Sequence, residues 1–205
     1  MIRTVVFDIG GVLTDFRRER YFEDFGYSEP MCRRLYEVTM KTPYWQEYDR
    51  GLLSEEKIRS MFISLDPSLK DDIERTLKRL NGLVAPKDTA IPWLRHVKEQ
   101  GRKVLYLSNW SAPSFRDCQP ALSFLPEMDG GIFSYRVHMI KPNPDIYEKL
   151  LDDYHLLPEE TVFIDDTPYN LLMPEYLGMH TLLYRSQEQA QEELDRLLEA
   201  EQPPI

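Results

Sequence analysis

Three carboxylates, Asp8, Asp165 and Asp166, stand near a hydroxyl-amide pair, Ser108 and Asn109, and an ammonium, Lys141, in the sense that each follows a short apolar run or a turn. Together they suit phosphoryl transfer. A carboxylate attacks phosphorus only if the charge of both anions is neutralised, and a magnesium ion held by carboxylates and phosphate oxygens does this. A hydroxyl, an amide and an ammonium then hold the remaining oxygens. Gly10 and Gly11, just after Asp8, let backbone N–H groups approach a phosphate with no side chain in the way. Singly, each residue has a plainer role. Asp with Gly after a strand is a common turn, Ser108 and Asn109 suit helix caps, and Lys141 before Pro142 suits a solvated surface. Asp165 beside Asp166 reads as turn and cap, although adjacent acids repel unless a cation is near.

Their joint placement at strand ends favours the functional reading. Apolar, β-rich runs occur at 4–7 (TVVF), 103–107 (KVLYL), 161–164 (TVFI) and 181–184 (TLLY), with a weaker one at 132–135 (IFSY). Each is short enough to be a strand buried on both faces. Helical patterns lie between them, such as Ile146, Tyr147, Leu150, Leu151 and Tyr154 on one face of a helix opened by Pro144. A closing helix starts at Ser186, where Gln189 completes a capping box, and carries Leu194, Leu197 and Leu198 as its apolar stripe. The alternation predicts an α/β fold, a doubly wound parallel sheet whose ligands bind beyond the C-terminal strand ends. Asp8, Ser108, Asn109, Asp165 and Asp166 close the predicted strands.

Residues 16–85 break the pattern with four or five helical segments and no strand-like run. They read as a helical cap domain inserted into an α/β core of residues 1–15 and 86–205. The last residues, EAEQPPI, read as a frayed tail.

Composition narrows the partners. Hydrophobic residues are 42% and charged residues 29% of the chain, an ordinary globular mixture. Asp and Glu exceed Lys and Arg by 35 to 25, a net charge of −10 that repels nucleic acid and anionic membranes. Cys32 and Cys118 lie far apart without a CxxC or Cys/His cluster, and the opening MIRTVVFDIGG is too short for a signal peptide or membrane span. A soluble cytoplasmic protein, monomer or homodimer, acting on a small phosphorylated metabolite is the expectation.

Four motifs, VVFDIGGVLTD, VLYLSN, KPNPDIY and VFIDDTPYN, occur in this order over nearly the whole chain. With the helical insertion after the first strand, they resemble the haloacid dehalogenase-like hydrolase superfamily, specifically its phosphatases with such a cap, including members of the glucose 1-phosphate phosphatase type. The resemblance implies a Rossmann-like core and Asp8 as a nucleophile that forms an aspartyl-phosphate. It implies Ser108, Asn109 and Gly11 as phosphate contacts and Lys141 as the neutralising cation. It further implies magnesium held by Asp8, the Gly10 carbonyl and Asp166, with Asp165 and Asn170 outside them.

One position departs from that pattern. Most phosphatases of the superfamily carry an acid two residues after the nucleophile, where this chain has Gly10. A slow or selective phosphatase is the first reading, a carbon-halogen hydrolase needing neither acid nor magnesium the second, and a phosphosugar-binding protein without turnover the third. Without that acid, weakly basic leaving groups should react fastest, which favours a sugar 1-phosphate such as glucose 1-phosphate. Asp15 is a candidate substitute acid, with a hinge or capping role as its plainer reading. Tyr44, Trp45, Tyr48, Asp49 and Arg50 are candidates for the cap side of the pocket, with bundle core as the plainer role of the aromatics. His96, His138, His155 and His180 show no metal spacing and read as surface or packing residues.

Overall fold

The structure is a computed structural model and describes residues 1–199. The chain runs β1 (Thr4–Phe7), β2 (Thr14–Phe16), α1 (Arg20–Glu23), α2 (Glu29–Val38), α3 (Pro43–Arg50), α4 (Glu55–Leu65) and α5 (Lys70–Thr76). It continues with β3 (Val84–Pro86), α6 (Ala90–Glu99), β4 (Lys103–Ser108), α7 (Ala112–Asp117), β5 (Gly130–Phe133), α8 (Ser134–Val137) and α9 (Pro144–Tyr154). β6 (Thr161–Asp165), α10 (Pro168–Tyr176), β7 (His180–Leu183) and α11 (Gln187–Glu199) complete it. The tail beyond Glu199 lies outside the described residues.

Five strands form one parallel sheet in the order β5-β4-β1-β6-β7. All four residues of β1 are buried, because helices cover both faces of the sheet. Val5 and Phe7 point to a layer containing Trp93 and Leu94 of α6 and Leu194 of α11, and Val6 points to one containing Ile146 of α9 and Leu171 of α10. The capping box of α11 forms: Gln189 N–H donates to Ser186 Oγ at 3.2 Å, and Gln189 Oε1 accepts from Arg185 N and Ser186 N at 3.0 and 3.4 Å. Strand β5 begins two residues earlier than its sequence run, at Gly130, where a positive φ of 143° is open to glycine.

The topology explains where a ligand goes. From central β1 the chain builds β4 and β5 on one side, then crosses to β6 and β7 on the other, so the strand order reverses beside β1. Register makes the strand ends there flush, with Phe7 opposite both Tyr106 and Ile164. Asp8 therefore emerges beside Asp165, one strand spacing away.

Helices α1 to α5 lie between β2 and β3, which pair antiparallel as Thr14 with Pro86, Asp15 with Ala85 and Phe16 with Val84. This ribbon was not expected, since TDF and VAP are three residues each and show no alternation. Among the described residues no helix is long and apolar enough to cross a membrane.

Candidate active site

Asp8 is nearly buried, and its Oδ1 receives two donors: Ser108 Oγ at 2.8 Å from the end of β4, and Lys141 Nζ at 2.9 Å. Lys141 is 2% exposed and also donates to Asp165 Oδ2 at 2.6 Å. Burial alone would lower its pKa, but Asp165 and then Asp8 outweigh that and hold it above the ordinary lysine value. It is a fixed cation. Burial pushes Asp8 up to about 7 with help from Asp165 and Asp166, against the pull of Lys141. Lys141 thus holds two of the three carboxylates, and the Arg18 guanidinium also acts on the third, Asp166.

Asp165 has little capacity left. Besides Lys141 it accepts Thr167 N at 2.8 Å and Asn170 Nδ2 at 3.1 Å on each oxygen. It positions Lys141 rather than facing a ligand. Asp166 accepts the Thr167 hydroxyl at 3.3 Å, and burial, then Asp165, raise its pKa. Carboxylate oxygens of Asp8, Asp165 and Asp166 lie within 4.8 Å of one another. Such a cluster of hard oxygen donors suits magnesium, and with Asp165 engaged elsewhere, Asp8 and Asp166 are the side chains free to hold it.

The two glycines of the loop differ. Gly11 has φ +83°, and a Cβ there would stand against the Asp166 carboxylate, so glycine lets Asp166 approach the loop that follows Asp8. A Cβ at Gly10 would meet nothing within 4 Å. The loop is tied from outside by Lys87, whose Nζ donates to the carbonyls of Gly11 and, at 3.1 Å, Val12. Lys87 was missed because a lone lysine after β3 carries no motif.

These groups form the floor of a cavity of about 210 Å³, a size for one small ligand. Its other wall comes from the helical insertion and the ribbon: Phe16, Arg18, Trp45, Asp49, Leu83 and Val84. Arg18 gave no signal in the sequence; it enters at a positive φ of 46° just past β2. Of the other expected residues, Asn109 lines the cavity, but its amide is engaged with the Lys141 backbone, donating to the carbonyl at 2.9 Å and accepting the N–H at 2.8 Å. Tyr44 and Tyr48 pack in the helical core against Phe62 and Trp45, and Arg50 pairs with Glu47 at 3.3 Å, so none of the three lines the cavity. Asp15 pairs with Arg20 at 2.7 Å and is outside the cavity as well, so it is not placed as the substitute acid. His96 pairs with Asp195 at 3.0 Å and His138 Nδ1 lies 3.0 Å from the Arg50 carbonyl, both as structural contacts.

A family model described as haloacid dehalogenase-like hydrolase matches residues 2–178. The chain belongs to this family. It is 27% identical over 192 residues to a D-ribitol-5-phosphate phosphatase of Bacteroides thetaiotaomicron, covering 88% of this chain and 91% of the relative. In fold it is similar to a family enzyme from the same bacterium, crystallised with magnesium and inorganic phosphate, at TM-score 0.69, 20% identity, and 91% and 96% of the two chains. It is equally similar in fold to a crystallised dehalogenase, at TM-score 0.73, 18% identity and 96% of each chain. The doubly wound α/β fold and enzyme class expected from the motifs are thereby established.

Proposed function

We propose that this hydrolase is a magnesium-dependent phosphatase of a small sugar or polyol phosphate, sugar 1-phosphates included, working through an aspartyl-phosphate on Asp8. The observation that carries the reading is the pairing of a restrained nucleophile with a second acid: Asp8 held by Ser108 and Lys141, and Asp166 brought close across Gly11. The ribitol phosphate phosphatase relative supports a phosphorylated polyol-sized substrate. Nothing in a carbon-halogen hydrolysis would require Asp166 to crowd that glycine.

In this reading an Asp8 oxygen attacks phosphorus, the ester P–O bond breaks, and water later hydrolyses the acyl phosphate. Ser108 and Lys141 orient the carboxylate, and Lys141 offsets charge developing on the phosphoryl oxygens. Magnesium held by Asp8, the Gly10 carbonyl and Asp166 would supply further charge neutralisation. Residues 16–85 act as a cap over the core of 1–15 and 86–205, and Trp45 and Phe16 set which ester fits.

Turnover of a panel of phosphate esters, with and without chelator and in Asp8→Asn, tests the reading. Hydrolysis should need magnesium and vanish in Asp8→Asn. Equal activity in that variant, or chelator-resistant turnover of a 2-haloacid instead of any ester, would overturn it.

A further inference from the structure

We propose that Asp49, on α3 of the helical insertion, is the general acid that protonates the leaving group. The proposal rests on the phosphatase reading above and identifies the proton donor that Gly10 cannot be.

Five ionisable side chains line the cavity: Asp8, Arg18, Asp49, Lys141 and Asp166. Asp8 is the nucleophile. Lys141 is locked in two ion pairs, Arg18 does not release its proton, and Asp166 lies against Gly11 on the metal side. Asp49 is the remaining carboxyl. It comes from the insertion, not from a strand end, and stands with Trp45, Phe16, Leu83 and Val84 on the wall facing the floor. The leaving oxygen departs opposite the attacking one, so with phosphorus over Asp8 the ester oxygen points toward that wall.

Asp49 is also held in place by the core. Its carbonyl accepts the hydroxyl of buried Ser134 at 2.7 Å, the next carbonyl faces His138 Nδ1 at 3.0 Å, and Gly51, at φ +74°, packs on Tyr135. Burial, and then the charge of Asp8, push its carboxyl up to about 8, while the Ser111 N–H and Lys141 oppose them. A carboxyl raised in this way suits a group that must hold a proton to give up, as a general acid does.

The chemistry balances in two steps. Asp8 forms a bond to phosphorus as the ester P–O bond breaks, and the departing oxygen takes the Asp49 proton and leaves as the alcohol. The Asp49 carboxylate then accepts a proton from the water that attacks the phospho-Asp8 phosphorus, freeing phosphate and restoring both residues.

Because Asp49→Asn removes acid and base together, the first turnover must be measured. The wild type and Asp49→Asn, saturated with magnesium, are followed by rapid quench on 4-nitrophenyl phosphate and on glycerol phosphate and glucose 1-phosphate. Asp49→Asn should give a burst of one nitrophenol per site followed by slow turnover, since that leaving group needs no proton. On the glycerol ester its first turnover should be slower by roughly 10² to 10⁴, the usual worth of general acid catalysis. The same factor on 4-nitrophenyl phosphate as on glycerol phosphate, or no loss on any of the three esters, would overturn the assignment. Independently of the variant's folding, the wild-type first-turnover rate should change little with leaving-group pKa, and a steep dependence would also refute it. Absence of wild-type turnover on every ester would sink the phosphatase reading itself, which the other outcomes leave standing.

Discussion

An alanine methyl at Gly11 would stand 2.2 Å from the Asp166 carboxylate at a φ of +83°, whereas at Gly10 it would meet nothing within 4 Å. Two adjacent residues of one type are therefore glycine for different reasons. Gly11→Ala should destabilise by about 1–2 kcal/mol from the left-handed backbone alone, and more if Asp166 must move. It should also weaken magnesium activation, because Asp166 is a proposed ligand. Gly10→Ala, at an ordinary backbone conformation, should leave stability unchanged or raise it by about 0.4–1 kcal/mol through the unfolded chain. Urea titrations of both variants check the contrast, and equal losses would refute the steric account. The sequence IGG suggested a tight turn after Asp8 whose N–H groups meet a phosphate, but the Gly11 N–H donates to the Thr14 carbonyl at 2.9 Å, and which glycine is obligatory depends on where Asp166 arrives from β6, over 150 positions later.

At the level of elements, the helical insertion is fastened where it returns to the core. Asp117, closing α7, accepts the Leu80 N–H at 2.9 Å, and its carbonyl accepts Asn81 Nδ2 at 3.1 Å. Tyr21 of α1 clamps the same stretch by donating to the carbonyls of Thr76 and Arg79 at 2.6 and 2.8 Å. Arg116 holds the Asp117 carboxyl below its usual value, outweighing burial, and the Leu80 N–H adds to this. A carboxyl depressed in the folded state contributes stability that is full above the unfolded value of about 3.9 and is lost as pH falls through the folded value. Asp117→Asn should thus cost about 1 kcal/mol at pH 7, where an exposed arginine partner limits the worth of the pair, and less at pH 3. Urea midpoints at the two pH values decide it; a cost that grows on acidification would contradict the argument. The strands of the main sheet and the helices α9 and α11 were legible because buried parallel strands and one-sided helices write strong apolar periods. The ribbon of β2 and β3 was not, because Pro86 and three-residue strands erase the pattern, although this ribbon joins the insertion to the core.

For the molecule as a whole, the site divides into a legible floor and an illegible wall. Asp8, Ser108, Lys141 and Asp166 were visible because a doubly wound sheet gathers its strand ends at one crevice. Trp45 and Asp49 were named for the wall, but together with Tyr44, Tyr48 and Arg50, which lie elsewhere, and Arg18 was not named at all, since their places depend on how an irregular helical insertion folds back, which no periodicity records. The floor carries a thermodynamic consequence. Three carboxylates have oxygens within 4.8 Å of one another, two of them paired with Lys141, in a chain of net charge −10, so a bound cation relieves repulsion that remains in the folded chain. An ion that binds the folded state stabilises it by about 2.7 kcal/mol at 100 times its dissociation constant. For a chain of this length that corresponds to a rise in melting temperature of roughly 5–10 °C, at about 2–4 °C per kcal/mol. Magnesium should produce this rise in the wild type, a chelator should reverse it, and Asp166→Asn, which keeps the size of the side chain but not its charge, should remove most of it. Calorimetry at fixed ionic strength separates a bound ion from general screening, because sodium matched for ionic strength should not reproduce the shift. A rise of the same size in Asp166→Asn would mean that the stabilising ion binds somewhere other than beside Asp8.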